Sequence, residues 1–237
     1  MLCLNTIHKI TPEAKIINRS HCDILFCGSL RNLMLNENSC FCCILAYSNF
    51  GAQAMEKLTI DDYSFLERLK LSHVEAIFNA IDQNRKFLRK WLPFVDFTQK
   101  ITDTERFVRS IIEKVSSNRD EVYVIWYKHE FAGLIGFKDI DRINDKIEIG
   151  YWLIEKMTGK GIATAAARKM VNLAFRNMDM NRIVIRCGVG NDKSSAIPRR
   201  LGFSLEGIER NGERHNHTYI DLEVFSLLKQ EWAMTLF

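Results

Sequence analysis

No apolar run in this 237-residue chain approaches the roughly 18 residues a membrane span requires. The longest candidate, Cys40–Tyr47, is about half that length and sits in the wrong place for a signal peptide. A cytoplasmic protein with no membrane partner is the expectation. A dominant charge is missing too: 33 Lys and Arg against 29 Asp and Glu leave +4. Without a clustered patch that is too little to argue for direct nucleic-acid binding. Cysteine is nearly absent beyond residue 55: Cys3, Cys22, Cys27, Cys40, Cys42 and Cys43 precede it, and only Cys187 follows. The cluster Cys40-Phe41-Cys42-Cys43 lacks a matching second half, so no metal module is expected. What is present is ordinary for a globular protein, 47% hydrophobic and 26% charged.

Residues 1–54 show no sustained period of 2 or 3.6, and their apolar pieces are short. At Met55 the character changes, and Met55–Leu69 reads as the opening strand of a domain. The division is therefore an extension over 1–54, with Met55 as an alternative start, and one domain over 55–237. Within it, Ser72 and Glu75 form the pattern of a capping box before Val74, Ile77, Phe78 and Ile81 at helical spacing. Asn84–Pro93 ends in an aromatic, proline-stopped loop, and a second helix is expected over Asp103–Ser117. Val122–Tyr127, Phe131–Ile140 and Lys146–Ile154 read as three antiparallel strands. A helix over Gly161–Arg176, a strand over Arg182–Val189 and a short helix over Ser194–Leu201 follow. Strands near Phe203–Arg210 and Thr218–Leu228 close a mixed α/β order.

The most informative stretch is Tyr151-Trp152-Leu153-Ile154, then Gly159-Lys160-Gly161-Ile162-Ala163-Thr164. A strand meets two glycines and then a helix N-terminus, whose free N–H groups and dipole suit a pyrophosphate. A P-loop is excluded because Gly161 follows Lys160, and a dinucleotide fingerprint because Thr164 stands where its third glycine belongs.

The segment Thr158-Gly-Lys-Gly-Ile-Ala163 resembles the acyl-CoA pyrophosphate loop Q/R-x-x-G-x-G/A of the GNAT N-acetyltransferase superfamily, with Thr158 departing from the usual Gln or Arg. Asn84-Arg85…Leu88…Trp91-Leu92-Pro93, Glu148–Leu153 and Asn191-Asp-Lys-Ser194…Leu201-Gly-Phe203…Leu205-Glu-Gly207 are similar to its RimJ/RimL family, N-terminal acetyltransferases of ribosomal proteins. The resemblance implies a mostly antiparallel twisted sheet flanked by helices and splayed at its middle strands. It also implies acetyl-CoA as cosubstrate, direct attack by a primary amine, and a protein N-terminus as acceptor. A small amine (polyamine, amino sugar or amino acid) is the alternative acceptor, and a non-catalytic acyl-CoA-binding module the alternative class. A homodimer is the assembly considered.

By the same resemblance Tyr151, Trp152, Leu153, Ile154, Gly159, Lys160, Gly161, Ile162, Ala163, Thr164 and Asn191 hold the cofactor. Glu213 acts as base at the edge of the acceptor cleft, and Ser194 lies near the thiol. Gly150 suggests a bulge or a close ligand approach. Glu148 is the alternative base, although a structural ion pair explains it better. Ser194 also reads as the N-cap of its helix. No tyrosine occupies Asn191–Phe203 to protonate the thiolate. Cys187 alternates with Ile183, Ile185 and Val189 on one strand face and reads as buried, not nucleophilic. His215 and His217 lack a third metal ligand, and Arg85-Lys86…Arg89-Lys90 reads as a solvated helix face as readily as a contact for RNA or an acidic partner.

Overall fold

The computed structural model describes residues 56–116, 120–215 and 217–234. The extension 1–54, the start at Met55 and the six early cysteines lie outside them. Eight strands form one sheet in the order β1-β2-β3-β4-β5-β6-β8-β7. In chain order they are β1 Lys57–Thr59, β2 Ser64–Arg68, β3 Glu121–Tyr127, β4 Glu130–Asp141, β5 Lys146–Leu153, β6 Arg182–Gly188, β7 Ser204–His215 and β8 Thr218–Leu228. The helices are α1 Val74–Gln83, α2 Arg85–Leu88, α3 Ile101–Ser116, α4 Ile162–Arg176, α5 Asp192–Arg200 and α6 Lys229–Met234. No described helix is long and apolar enough to cross a membrane.

Every neighbouring pair is antiparallel except β5 and β6. That parallel pair is registered only over Lys146–Glu148 against Arg182–Val184, although β5 continues to Leu153 and β6 to Gly188. Past Glu148 the two strands part, which is the splay the family pattern implies. Gly150 is not at a bulge: it pairs regularly with Gly136 of β4, and the irregularity between β4 and β5 falls at Lys138/Asp141.

Local chemistry redraws several element ends. The opening strand is a hairpin of β1 and β2, turned where the Asp61 carboxylate accepts the Tyr63 N–H at 2.9 Å. Ser72 does not cap α1, because a 3-10 turn over Leu71–His73 absorbs it. His73 Nδ1 instead accepts the Lys70 N–H at 3.2 Å. Asp103 anchors the start of α3 by accepting the Gln99 and Lys100 N–H groups at 3.0 and 2.9 Å. The apolar stripes point as their spacing requires: Ile77 and Ile81 of α1 and Val108 and Ile111 of α3 are buried with Leu66, Val124 and Ile135 of the sheet.

Candidate active site

A cleft of about 680 Å³ opens where β5 and β6 diverge. Tyr151, Trp152 and Leu153 form its floor, and the α4 N-terminus and one face of α5 its walls. Phe87, Leu88, Trp91 and Leu92 cover one end.

At the α4 end, Gly159 and Gly161 sit at φ +75° and +77°, in the left-handed region that favours glycine. A Cβ on either would meet nothing within 4 Å, so the glycines answer to backbone conformation and leave the space before them open. No side chain caps α4 at Gly161. Its first intrahelical bond runs from the Ala165 N–H to the Gly161 carbonyl at 3.0 Å, so the amides of Ile162, Ala163 and Thr164 have no helical partner. These amides, the helix dipole and the nearby Arg168, Lys193 and Arg200 make a site for a ligand with several phosphate charges. Sequence reasoning missed those three cations, although helical spacing carried the signal. Arg168 lies one turn beyond Thr164, and Lys193, Ile197 and Arg200 share a face of α5.

Two expected cofactor residues lie off the cleft. The Lys160 ammonium turns to the Tyr127 ring, 5.8 Å from its centroid, and to Met157 Sδ at 3.9 Å. Ile154 is buried, its N–H donates to the Ala132 carbonyl at 2.9 Å, and its carbonyl accepts the Met157 N–H at 3.1 Å. Its role is to turn the chain out of the sheet. The other nine, with Ser194, line the cleft.

In the middle of the cleft Asn191, not Ser194, caps α5: its side-chain oxygen accepts the Ser194 N–H at 3.3 Å. The Ser194 hydroxyl is thus released from capping. It lies 3.4 Å from the Tyr151 hydroxyl and 3.4 Å from Cys187 Sγ. Tyr151 also donates to the Ser194 carbonyl at 3.1 Å. Burial pushes the Tyr151 phenol well above its ordinary pKa, and the neighbouring Cys187 adds to this, so it stays protonated. No tyrosine in the α5 segment was needed to bring a phenol here, because β5 supplies it from 43 residues upstream. Cys187 is fully buried with Ile183 and Ile185, as its alternation indicates, and does not line the cleft.

At the other end, the ring of Trp91 covers Gly188, where a Cβ would meet it at 3.2 Å and Ile220 Cδ1 at 3.3 Å. Glu213 stands opposite Ile220 in the β7–β8 register, so the two side chains share a face. Glu213 is buried and is not among the residues that line the cleft. Glu148 is committed elsewhere: it is buried and ion-paired to Lys138 at 2.8 Å and to Arg186, which also reaches Glu209 at 3.1 Å. Among the described residues no group of three His, Cys, Asp or Glu is arranged to hold a metal.

The arginines of the basic run are structural. Arg85 donates to the carbonyls of Val95 at 2.9 Å and Thr98 at 2.7 Å, and Arg89 pairs with Asp96 at 2.6 Å. Asn84 donates to the Ala80 carbonyl at 2.8 Å and accepts the Glu155 N–H at 3.2 Å, tying α1 to the end of β5. Together they hold Phe87, Leu88 and Trp91 over the cleft. Beneath them Trp152, 5% exposed, packs against Phe94 and Phe131 at centroid distances of 6.4 and 5.9 Å. Its Nε1 is buried without a hydrogen-bond partner among the described residues. An orphaned donor of this kind costs about 1–3 kcal/mol.

Residues 65–204 match the Acetyltransferase (GNAT) domain family. The chain belongs to that family. It is 36% identical over 178 residues to YdaF of Bacillus subtilis (strain 168), provisionally named a ribosomal N-acetyltransferase, covering 73% of this chain and 95% of YdaF. It is 28% identical over 171 residues to the ribosomal-protein-serine acetyltransferase of Escherichia coli (strain K12), covering 72% and 96%. Among solved structures, RimL, the ribosomal L7/L12 α-N-protein acetyltransferase, in complex with coenzyme A superposes with a TM-score of 0.71 at 28% identity, covering 74% of this chain and 99% of that one. The microcin C7 self-immunity acetyltransferase MccE, bound to acetyl-CoA and AMP, gives 0.68 at 30% identity, covering 71% and 94%. The protein is thus an acetyltransferase of this family.

Proposed function

We propose that this GNAT protein transfers the acetyl group of acetyl-CoA to the α-amino group of a protein N-terminus, a ribosomal protein being the acceptor class its relatives' names indicate. The observation that carries the reading is the uncapped α4 N-terminus opening onto the cleft where β5 and β6 part. The Ile162, Ala163 and Thr164 amides hold the diphosphate, and the free edge of β5 beyond Glu148 runs beside the pantetheine arm. Backbone N–H groups there polarise the thioester carbonyl.

The amine nitrogen bonds the acetyl carbon, the C–S bond breaks, the nitrogen gives up one proton and the sulfur gains one. At pH 7 deprotonation costs an α-amine about 1 kcal/mol and a lysine about 5 kcal/mol, so a modest base suffices for the former. Glu213, beside the acceptor end, takes that proton through water. Ser194 presents its hydroxyl where the sulfur departs.

A relative of another specificity, the spermidine N(1)-acetyltransferase of Escherichia coli (strain K12), is 26% identical over 145 residues. The residues that line the cleft include no carboxylate to pair with a polycation, which disfavours such an acceptor. The test is thiol release from acetyl-CoA with a pool of N-terminal peptides and with a panel of polyamines, amino sugars and amino acids. Peptide-dependent release is expected; turnover confined to the small amines would overturn the reading.

A further inference from the structure

At the end of the cleft away from α4, one indole ring reaches across the gap between the parted strands. Trp91 follows α2, and its N–H donates to the Leu88 carbonyl at 3.1 Å, extending the turn that Arg85 and Arg89 pin in place. Asn84, just before α2, is bonded to Glu155 past the end of β5. From that side the indole reaches the end of β6, where a Cβ on Gly188 would meet the ring at 3.2 Å and one on Gly190 at 3.9 Å. Two glycines in three residues thus give the ring bare backbone to lie on. The ring is half-buried, and its remaining surface lines the cleft.

A donor whose phosphates sit at the α4 N-terminus extends its acyl group away from them, toward this end. An α-amine that attacks there brings its first side chain with it, because one carbon carries both. The lining at this end is apolar, formed by Phe87, Leu88, Trp91 and Leu92, so a charged side chain would lose its water and gain no counter-charge. Nor can the ring retreat from a large one, since the β6 backbone lies behind it. We infer that the Trp91 ring restricts the first residue of the acceptor peptide to a small, uncharged side chain. Trp91 is then a specificity-determining residue, and the inference rests on the protein N-terminus reading above. Packing against a fixed ring discriminates by size, because each added methylene must displace atoms that have nowhere to move.

The experiment uses peptides that are identical after a first residue of Ser, Val, Leu or Phe, with wild type, Trp91→Ala and Gly188→Ala. Wild type is expected to favour Ser over Leu and Phe by at least about tenfold in kcat/KM, and Trp91→Ala to level or reverse that ranking. Gly188 lies in β6, so alanine fits its backbone, and the new methyl pushes the ring from behind toward the cleft. Gly188→Ala should therefore widen the preference for Ser by a further factor of about three, and should change nothing in a Trp91→Ala background. A thermal melt shows each variant to be folded; should Trp91→Ala not fold, Gly188→Ala alone decides. Equal losses on all four peptides in Trp91→Ala overturn the inference while leaving the acceptor class intact. So does an unchanged ranking in Gly188→Ala, an effect of that variant as large without the ring as with it, or a wild type that takes Phe as readily as Ser. A wild type that acetylates no peptide at all overturns the protein N-terminus reading itself, and the role of Trp91 with it.

Discussion

The Tyr151 phenol donates to the Ser194 carbonyl at 3.1 Å, and that carbonyl is free because the residue four positions on is Pro198. In a regular helix the N–H of residue 198 would bond it, and proline has none. The sequence thus leaves a vacancy in α5, and β5 fills it from across the splay. The same contact sets the Tyr151 hydroxyl 3.4 Å from that of Ser194. Tyr151→Phe is expected to cost about 1 kcal/mol in urea unfolding. The cost should shrink in a Pro198→Ala background, where the restored N–H takes the carbonyl. A coupling below about 0.5 kcal/mol in that cycle would show the two residues to be independent.

Gly161→Asp places a carboxylate at the N-cap of α4. Aspartate is a good cap and tolerates left-handed backbone, so helix capping offsets most of the strain at φ +77°. The melting temperature should move by only a few degrees, of the order that about 1 kcal/mol produces. The new side chain occupies the amides that a diphosphate needs, and its charge repels one. Acetyl-CoA affinity, read by calorimetry, should fall at least about tenfold; unchanged affinity would remove the phosphate from this helix.

The two buried glutamates are expected to separate cleanly. Glu148→Gln leaves Lys138 and Arg186 without their counter-charge and should cost about 3 kcal/mol in unfolding free energy. Glu213→Gln should instead lower kcat and abolish the acidic limb of its pH profile while acetyl-CoA still binds. A Glu213→Gln enzyme with the wild-type pH profile would exclude Glu213 as the base.

His73 makes stability depend on pH. Burial lowers its pKa below 6.5 against the opposing pull of Glu67, whose carboxylate lies 3.3 Å from Nε2. Lys70 adds a smaller lowering contribution, and the Trp126 ring packs on the imidazole edge at 6.1 Å. A lowered folded-state value means that the unfolded chain binds the proton first. This stabilisation is complete above about pH 6.5 and is lost as pH falls from there through the folded-state pKa. The neutral ring is also the form whose Nδ1 can accept the Lys70 N–H. Urea midpoints should drop between about pH 7.5 and pH 5.5, and His73→Asn, with an uncharged acceptor, should drop less. An equal drop in both would show that His73 does not set the dependence.

Much of the fold was legible in the chain, because strand and helix periods and the Gly159–Gly161 turn are local properties. The errors are also local in origin. Ser72 and Ser194 both look like N-caps, but His73 and Asn191 hold those positions once the neighbouring turns form. Lys160 and Ile154 sit inside the motif yet point off the cleft, since the turn after β5 alternates the faces it presents. Arg168, Lys193 and Arg200 carry no motif and enter the site only because α4 and α5 border the same cleft.

By itself the sequence determined the anion site, and the likeness of that segment to the GNAT loop named the acyl donor. Glycines at positive φ, an uncapped helix start and a preceding strand are consecutive in the chain, and backbone sterics decide them residue by residue. Tertiary structure alone decided what surrounds the reacting atoms. The short parallel register of β5 and β6 opens the cleft and lets Tyr151 reach Ser194. Those relations join residues far apart in the chain, so they exist only once the sheet has paired and splayed.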